Sequence, residues 1–299
     1  MFKFVWKWSG RVLRVAAGVV IGLTLVLVAV VWLRQSALIY DPSPRLIAVP
    51  SQLKLPYEDL SLPSGGGGIR LNAWFIPVSN ALATVMVCNN SAANQSYNMG
   101  MLEFLRDMHL NVMSFDYRGF GKSSGSPTEA GTYADARTVW AYLTQTRGIP
   151  TNRIVLYGQG VGAAVAVQLA SRVNPAGLVV ASGFDSLECV LVGQHTNVPA
   201  IVVRILCRYE YDNTKTIRDV SCPKLFYHSA EDARVPIERG RKLFELAQEP
   251  KRFVETHGYY GDEIYASRSE LRKAWVALIA DVVNNTAPSA RPEESKPTQ

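Results

Sequence analysis

The sequence predicts an α/β protein: a mostly parallel sheet of eight strands, flanked by helices and preceded by one apolar helix at the N-terminus. Short runs of β-branched and aromatic residues alternate with longer runs of helical periodicity, the pattern of parallel strands joined by helices. A separate run of nineteen residues near the N-terminus carries no charge. With 299 residues, 48% of them hydrophobic and 19% charged, the chain is long and apolar enough to build a large core.

The uncharged run, residues 15–33, predicts contact with a lipid bilayer, because as a helix it would span about 28 Å, close to the hydrocarbon thickness. Three tryptophans stand near its ends: Trp6, Trp8 and Trp32. Four basic residues precede it: Lys3, Lys7, Arg11 and Arg14. We therefore expect residues 1–34 to form a single-pass anchor with its N-terminus in the cytoplasm and the folded domain outside, in the periplasm of a bacterium. A cleaved signal peptide is the alternative, but its apolar core is usually only about 7 to 15 residues long.

The distribution of charge argues against a nucleic-acid partner. Lys and Arg number 31 against 25 Asp and Glu, and five of these basic residues lie in the first 34 positions, where there is no acid. The remaining chain therefore carries 26 basic and 25 acidic residues, with no basic run that would follow a phosphate backbone.

Two further sequence patterns concern the oligomeric state and the cysteines. Gly18 and Gly22 form a G-x-x-x-G pattern that can pair two membrane helices into a homodimer; small residues scattered through an apolar helix are the alternative. The four cysteines have no C-x-x-C spacing, and nothing in the sequence predicts a metal or a cofactor. The sequence allows two states of the cysteines. Two of Cys189, Cys207 and Cys222 could form a disulfide, or these three and Cys88 could all be buried thiols.

A Pro-containing connector, residues 35–56, follows the anchor, and the folded domain extends over residues 57–283. The predicted strands are 57–62, 71–78, 84–88, 112–117, 154–157, 178–181, 225–228 and 253–256. The predicted helices are 97–108, 129–146, 161–173, 237–246 and 269–283. A partly apolar insertion at 186–211 predicts a lid over the carboxyl edge of the sheet. The polar tail, 284–299, is predicted to be disordered.

Residues 153–164 predict a buried strand, a very tight turn and a helix that opens with small residues. This is the context of a nucleophile elbow, G-x-S-x-G, in which the flanking glycines allow the sharp turn and the close packing of helix on strand. Here the flanking positions are Gly158 and Gly162, and the central position is Gly160. The position of the attacking serine therefore carries no side chain.

With this elbow and the segment Phe-Asp-Tyr-Arg-Gly-Phe-Gly-Lys-Ser-Ser-Gly-Ser-Pro at residues 115–127, the chain resembles the α/β-hydrolase superfamily. It is most similar to the membrane-anchored branch described as serine aminopeptidase-like or dienelactone-hydrolase-like. The resemblance covers about residues 38–283 and implies the α/β-hydrolase fold, with nucleophile, acid and histidine in that order. It implies Asp232 as the acid, since residues 228–236 end in D-x-x-V-P.

The resemblance also shows which catalytic positions differ. An ungapped match places Gly261 where similar proteins carry the catalytic histidine, and His257, four residues earlier, is a substitute base only if it crosses the loop. Similar proteins carry H-G-N at the oxyanion element, where this chain has Cys88, Asn89 and Asn90. Asn90 and the Val161 N–H are therefore the oxyanion-like groups that remain.

We therefore predict a membrane-anchored α/β-hydrolase-fold protein without serine-hydrolase activity, because acyl transfer by this fold needs both a side-chain nucleophile and a base. Its role would be to bind a small acyl-type ligand or a protein partner. One alternative is an active hydrolase of small esters or amides with a rearranged site that uses Asp232, His257 and Cys88 or an activated water. The other is an interaction scaffold at the membrane that binds partners through the lid.

Overall fold

The computed structural model describes residues 2–65, 67–194, 197–259 and 263–286, and it contains an eight-stranded sheet and a separate pair of two-residue strands. The predicted eight-stranded, mostly parallel sheet is confirmed, with each observed strand within three residues of its predicted position. In chain order the strands are β1 Asp41–Pro42, β2 Glu58–Pro63, β3 Arg70–Ile76, β4 Ala83–Cys88, β5 Ala92–Ala93, β6 Leu110–Phe115, β7 Ile154–Gln159, β8 Gly177–Ala181, β9 Lys224–Ser229 and β10 Lys251–Thr256.

The strand order of the main sheet is β10-β9-β8-β7-β4-β6-β3-β2. The six strands from β10 to β6 pair in parallel, β3 is antiparallel to β6, and β2 is antiparallel to β3. After β4 the chain forms β6 on one side of it and then returns to form β7 on the other side. The carboxyl ends of β4 and β7 thus mark a topological switch point, where open α/β sheets form their ligand crevice.

Helices cover the sheet on both faces, as the alternating pattern predicts. In chain order they are α1 Phe2–Ile39, α2 Met99–Arg106, α3 Glu129–Ala141, α4 Val161–Val173, α5 Leu187–Gln194, α6 Ala200–Leu206, α7 Asn213–Thr216, α8 Ile237–Leu246, α9 Glu263–Ala266 and α10 Arg268–Thr286. One core cluster joins α3, α4 and α8 to the sheet, and the other joins α2 and α10 to the opposite face. The alternation of β4 follows from this: Met86 and Cys88 face the first cluster, and Val85 and Val87 face the second.

The predicted lid, residues 186–211, contains α5 and α6. Its base is fixed by Asp185, whose buried carboxylate accepts hydrogen bonds from the Lys242 side chain at 2.7 Å and from Arg239 at 3.3 Å. The lid is therefore tied to α8.

The N-terminal helix α1 projects from the domain. Its segment Arg14–Ile39 is long and apolar enough to cross a membrane, and most of its apolar side chains between Val15 and Leu33 are exposed. The helix continues to Ile39, five residues beyond the predicted end of the anchor at residue 34, and thus occupies the start of the predicted connector. At the other end α10 reaches Thr286, so the predicted tail begins inside a helix; residues 287–299 lie outside the described residues.

All four cysteines lie in the described part of the chain and are free thiols. Cys88 is buried in the core, and Cys189, Cys207 and Cys222 are partly buried. Of the two alternatives that the sequence leaves open, the structure thus contains free cysteines rather than a disulfide.

Candidate functional site

Gly160 forms the tip of the turn between β7 and α4, at the switch point of the sheet. Its backbone has φ +56° and ψ −119°, a conformation that is strained for residues with a side chain. The Gly160 N–H donates to the Ala181 carbonyl at 3.0 Å, and its own carbonyl accepts from the Ala163 N–H at 3.0 Å. The sharp strand-to-helix turn of an elbow is therefore present, with a hydrogen atom where a nucleophile would stand.

The glycines on either side of the tip allow two backbones to approach closely. A Cβ atom on Gly158 would lie 2.1 Å from the Gly162 carbonyl oxygen. A Cβ atom on Gly162 would lie 2.1 Å from the Cys88 carbonyl oxygen and 2.3 Å from that of Asn89. The elbow thus keeps the packing that its glycines permit, although its reactive side chain is missing.

Asp232, the predicted acid, follows β9 and is buried. One carboxylate oxygen accepts the backbone N–H groups of Arg234 and Val235, each at 2.9 Å. The other oxygen lies 3.5 Å from Nε2 of His228. Burial raises the pKa of Asp232, but the contacts with His228, the Val235 N–H and Ser182 outweigh it and leave the pKa below its ordinary value. The carboxylate is therefore held by internal partners.

His228 is a buried histidine at the end of β9 that the sequence analysis does not assign to the site. Its Nε2 lies 2.7 Å from the Val235 carbonyl oxygen, so Nε2 carries the proton and donates it there. Its Nδ1 packs against α8, where a Cβ on Gly240 would stand 2.3 Å away. His228 thus holds the loop after β9 in place. The four-residue spacing between His228 and Asp232 is the signal that could have identified this pair.

His257, the predicted substitute base, lies at the surface. Its Nδ1 is 3.1 Å from a carboxylate oxygen of Glu231, and its ring is 72% exposed. The hydrogen bond with Glu231 raises the pKa of His257 above its ordinary value. Its backbone N–H donates to Ser267 Oγ at 2.8 Å. The structure therefore does not bring His257 to the cavity above Gly160, and Gly261 lies outside the described residues.

In the segment that corresponds to the oxyanion element, Asn89 forms internal hydrogen bonds. The buried Asn89 side chain donates to the Phe115 carbonyl at 2.7 Å and accepts from the Asn98 amide at 2.6 Å. Asn90, in contrast, lines the cavity together with Val161, and its side-chain oxygen accepts the Ala92 N–H at 2.9 Å. Asn90, Val161 and Gly160 thus line the same cavity.

Cys88, the thiol of the rearranged-site alternative, is buried at the end of β4 and is absent from the cavity lining. Burial raises the pKa of its thiol to about 12. Because the thiolate is the nucleophilic form of cysteine, this thiol is poorly suited to attack a substrate at neutral pH.

A cavity of about 220 Å³ lies above Gly160. Apolar and polar groups contribute about equally to its walls. Of the apolar residues, Leu38 and Ile39 come from the end of α1, and Leu187 and Leu191 come from α5 of the lid. The polar lining residues are Asn90, Ser91, Gln194 and Arg234. Small-molecule sites are usually predominantly apolar and have a volume of about 300 to 1,000 Å³, so this cavity is both smaller and more polar than most.

The sheet order, the elbow at the switch point and the cavity above it define an α/β-hydrolase-fold protein. Residues 96–284 match the profile of the Alpha/beta hydrolase family, and the chain belongs to this family. This confirms the superfamily that the sequence motifs indicate.

Relatives and solved structures agree with this assignment. The uncharacterised protein Rv2307c of Mycobacterium tuberculosis is 34% identical over 230 residues, which are 76% of this chain and 80% of that protein. Alpha/beta hydrolase domain-containing protein 17B of Homo sapiens is 30% identical over 217 residues, 70% of this chain and 72% of that protein. The structure of the Pyrococcus furiosus esterase Pf2001 matches with a TM-score of 0.67 over 81% of this chain and 97% of that chain. Its identity of 18% supports a common fold alone.

Proposed function

We propose that this chain is a membrane-anchored member of the α/β-hydrolase family that binds a small acyl-type ligand above Gly160 without hydrolysing it by serine chemistry. The observation that carries the proposal is the glycine at the tip of the elbow, beneath a cavity lined by both apolar and polar side chains. Without a side-chain oxygen at the tip, no acyl-enzyme can form there.

The partners of the remaining catalytic groups support the same proposal. The Asp232 carboxylate is bound to backbone N–H groups and lies beside His228, and the His257 ring is paired with Glu231 at the surface. Loss of triad members typically lowers kcat by about 10⁴ to 10⁶. The site then retains the binding part of the family's architecture: the cavity, Asn90 and the Val161 N–H.

The lining of the cavity indicates the class of ligand. Leu187 and Leu191 offer an apolar surface to an acyl chain, and Asn90 and Arg234 are lining residues whose side chains carry donors for a carboxyl or carbonyl group. The small volume favours a short chain over a long one.

The anchor is part of the proposal. The exposed apolar side chains between Val15 and Leu33 of α1 support insertion into a bilayer, since such a surface is unfavourable in water. The basic residues before it favour an N-terminus on the cytoplasmic side, with the folded domain on the other side of the membrane.

Octanoate tests the binding site, with the full chain held in lipid nanodiscs and binding followed by saturation-transfer NMR. We expect a transfer signal for the wild type and its loss in Leu191→Trp, because the larger ring fills the cavity. Val192→Trp is the matched control on the same helix, since Val192 is not among the cavity residues, and it should keep the signal. Equal signals from all three proteins, or none from the wild type, would refute ligand binding in this cavity.

A further inference from the structure

The lid helix α6 presents an apolar stripe to solvent. Four aliphatic residues, between 38% and 72% exposed, lie on α6 and in the turn just before it, and the three on α6 are spaced by one and three positions, which places them on one side of the helix. They are Val198, Ile201, Val202 and Ile205. Arg204 on the same helix forms an ion pair with Glu188 of α5, with its Nε 2.9 Å from the Glu188 carboxylate oxygen. A grouped apolar surface of this kind marks an interaction site more often than scattered exposed residues do.

This stripe is fixed next to the end of α1. The Gln35 amide donates to the Leu206 carbonyl, and its oxygen accepts the Arg208 N–H at 2.8 Å. The Arg208 guanidinium lies 4.1 Å from the centre of the Trp32 ring. The carboxyl end of α6 is therefore attached to α1 at residues 32–35.

That point of attachment is the boundary of the apolar segment. The uncharged run ends at Leu33, with Trp32 before this point and Arg34 after it. Tryptophan and arginine favour the headgroup level of a bilayer. If α1 spans the membrane, Trp32 sets the depth of the helix, and α6 is held at the same level through Arg208 and Gln35.

We infer that the α6 stripe lies in the interfacial region of the same bilayer that α1 spans, as a second membrane contact of the lid. The inference rests on the anchor of the proposed function. A short amphipathic helix can insert its apolar side into the boundary between headgroups and acyl chains while its polar side faces the protein or water. The attached Arg208 lies at the level of the lipid phosphates, which its charge complements.

This contact determines how a ligand reaches the cavity. Leu38 and Ile39, one turn beyond Gln35 on α1, and α5 of the lid both line the chamber above Gly160. With α6 in the interface, the chamber lies at the membrane surface. An amphiphile with an acyl chain is then delivered from the bilayer.

Lipid photolabelling tests the inference on the full chain. The protein is placed in phosphatidylcholine nanodiscs that contain a phosphatidylcholine with a diazirine in its acyl chain, irradiated, digested and mapped by mass spectrometry. We expect labels in residues 15–33 and in 198–206. A second exposed apolar patch around Leu82 and Val276, formed by α10 and the start of β4, is the internal control and should stay unlabelled.

The outcomes separate this inference from the anchor. If α1 is labelled but α6 is labelled no more than the patch around Val276, the α6 contact is overturned and the anchor is retained. Labels on neither helix would overturn both. In Ile205→Glu we expect the α6 labels to be lost and the α1 labels to be retained. Val276→Glu is the control and should change neither set of labels. If the α6 labels persist in Ile205→Glu, the inference is also contradicted.

Discussion

Gly162→Ala should destabilise the protein by about 3 kcal/mol or more, because the new methyl group meets two carbonyl oxygens at 2.1 and 2.3 Å. Both oxygens belong to the backbone at the end of β4, so relief requires α4 to move away from the sheet. For a domain of this size we expect the midpoint of thermal unfolding to fall by roughly 6 to 12 °C. Circular dichroism of the full chain in detergent measures this shift.

Gly193→Ala is the matched control for this substitution. Gly193 also lies in a helix, but a Cβ there has nothing within 4 Å. Alanine is favoured over glycine in a helix, so this variant should gain between about 0 and 1 kcal/mol. A Gly162→Ala protein as stable as the wild type would contradict the close approach of α4 and β4 beneath the elbow.

Asp135→Ala should cost about 3 to 5 kcal/mol, because it removes one partner of a buried ion pair. The Asp135 carboxylate is fully buried in α3 and receives the Arg118 guanidinium at 2.7 Å, the Arg118 N–H at 2.9 Å and the Ser64 hydroxyl at 2.7 Å. These bonds hold the loop after β6 against α3. Urea unfolding of the full chain in detergent measures the loss.

Asp107→Ala is the control for the buried pair. Asp107 pairs with Arg106 at 3.3 Å and with Arg268 at 3.6 Å, but these side chains are exposed by more than a third. Exposed pairs contribute only about 0 to 1 kcal/mol, so this variant should unfold close to the wild type. Similar losses in Asp107→Ala and Asp135→Ala would mean that burial does not distinguish the two carboxylates.

Local sequence patterns predicted most of the fold, because the strands and helices of this domain have clear periodicity. The alternation along β4 and the small residues that open α4 are examples. Periodicity does not predict the paired strands β1 and β5, since they consist of two residues each and form by the contact of Asp41 with Ala92, far away in sequence. No local pattern encodes such a contact.

The sequence indicates the parts of the site that depend on backbone conformation, because glycines mark them. It does not indicate contacts between side chains of different segments. The spacing of Gly158, Gly160 and Gly162 indicated the elbow. In contrast, the contact between His228 and Asp232 depends on how the loop after β9 folds back. The end of α1 was also unexpected as a wall of the cavity, because helix periodicity in residues 34–39 does not reveal what the helix packs against.

Among the described residues that line the cavity above Gly160, no serine contacts a base that could activate it for attack on an acyl group. The most direct test is to incubate the full chain in nanodiscs with a fluorophosphonate probe and to measure the intact mass. We expect no adduct on this protein, whereas an active serine hydrolase treated in parallel should be fully labelled. An adduct mapped to Ser91 in the cavity lining, and lost in Asp232→Ala or His257→Ala, would contradict this expectation.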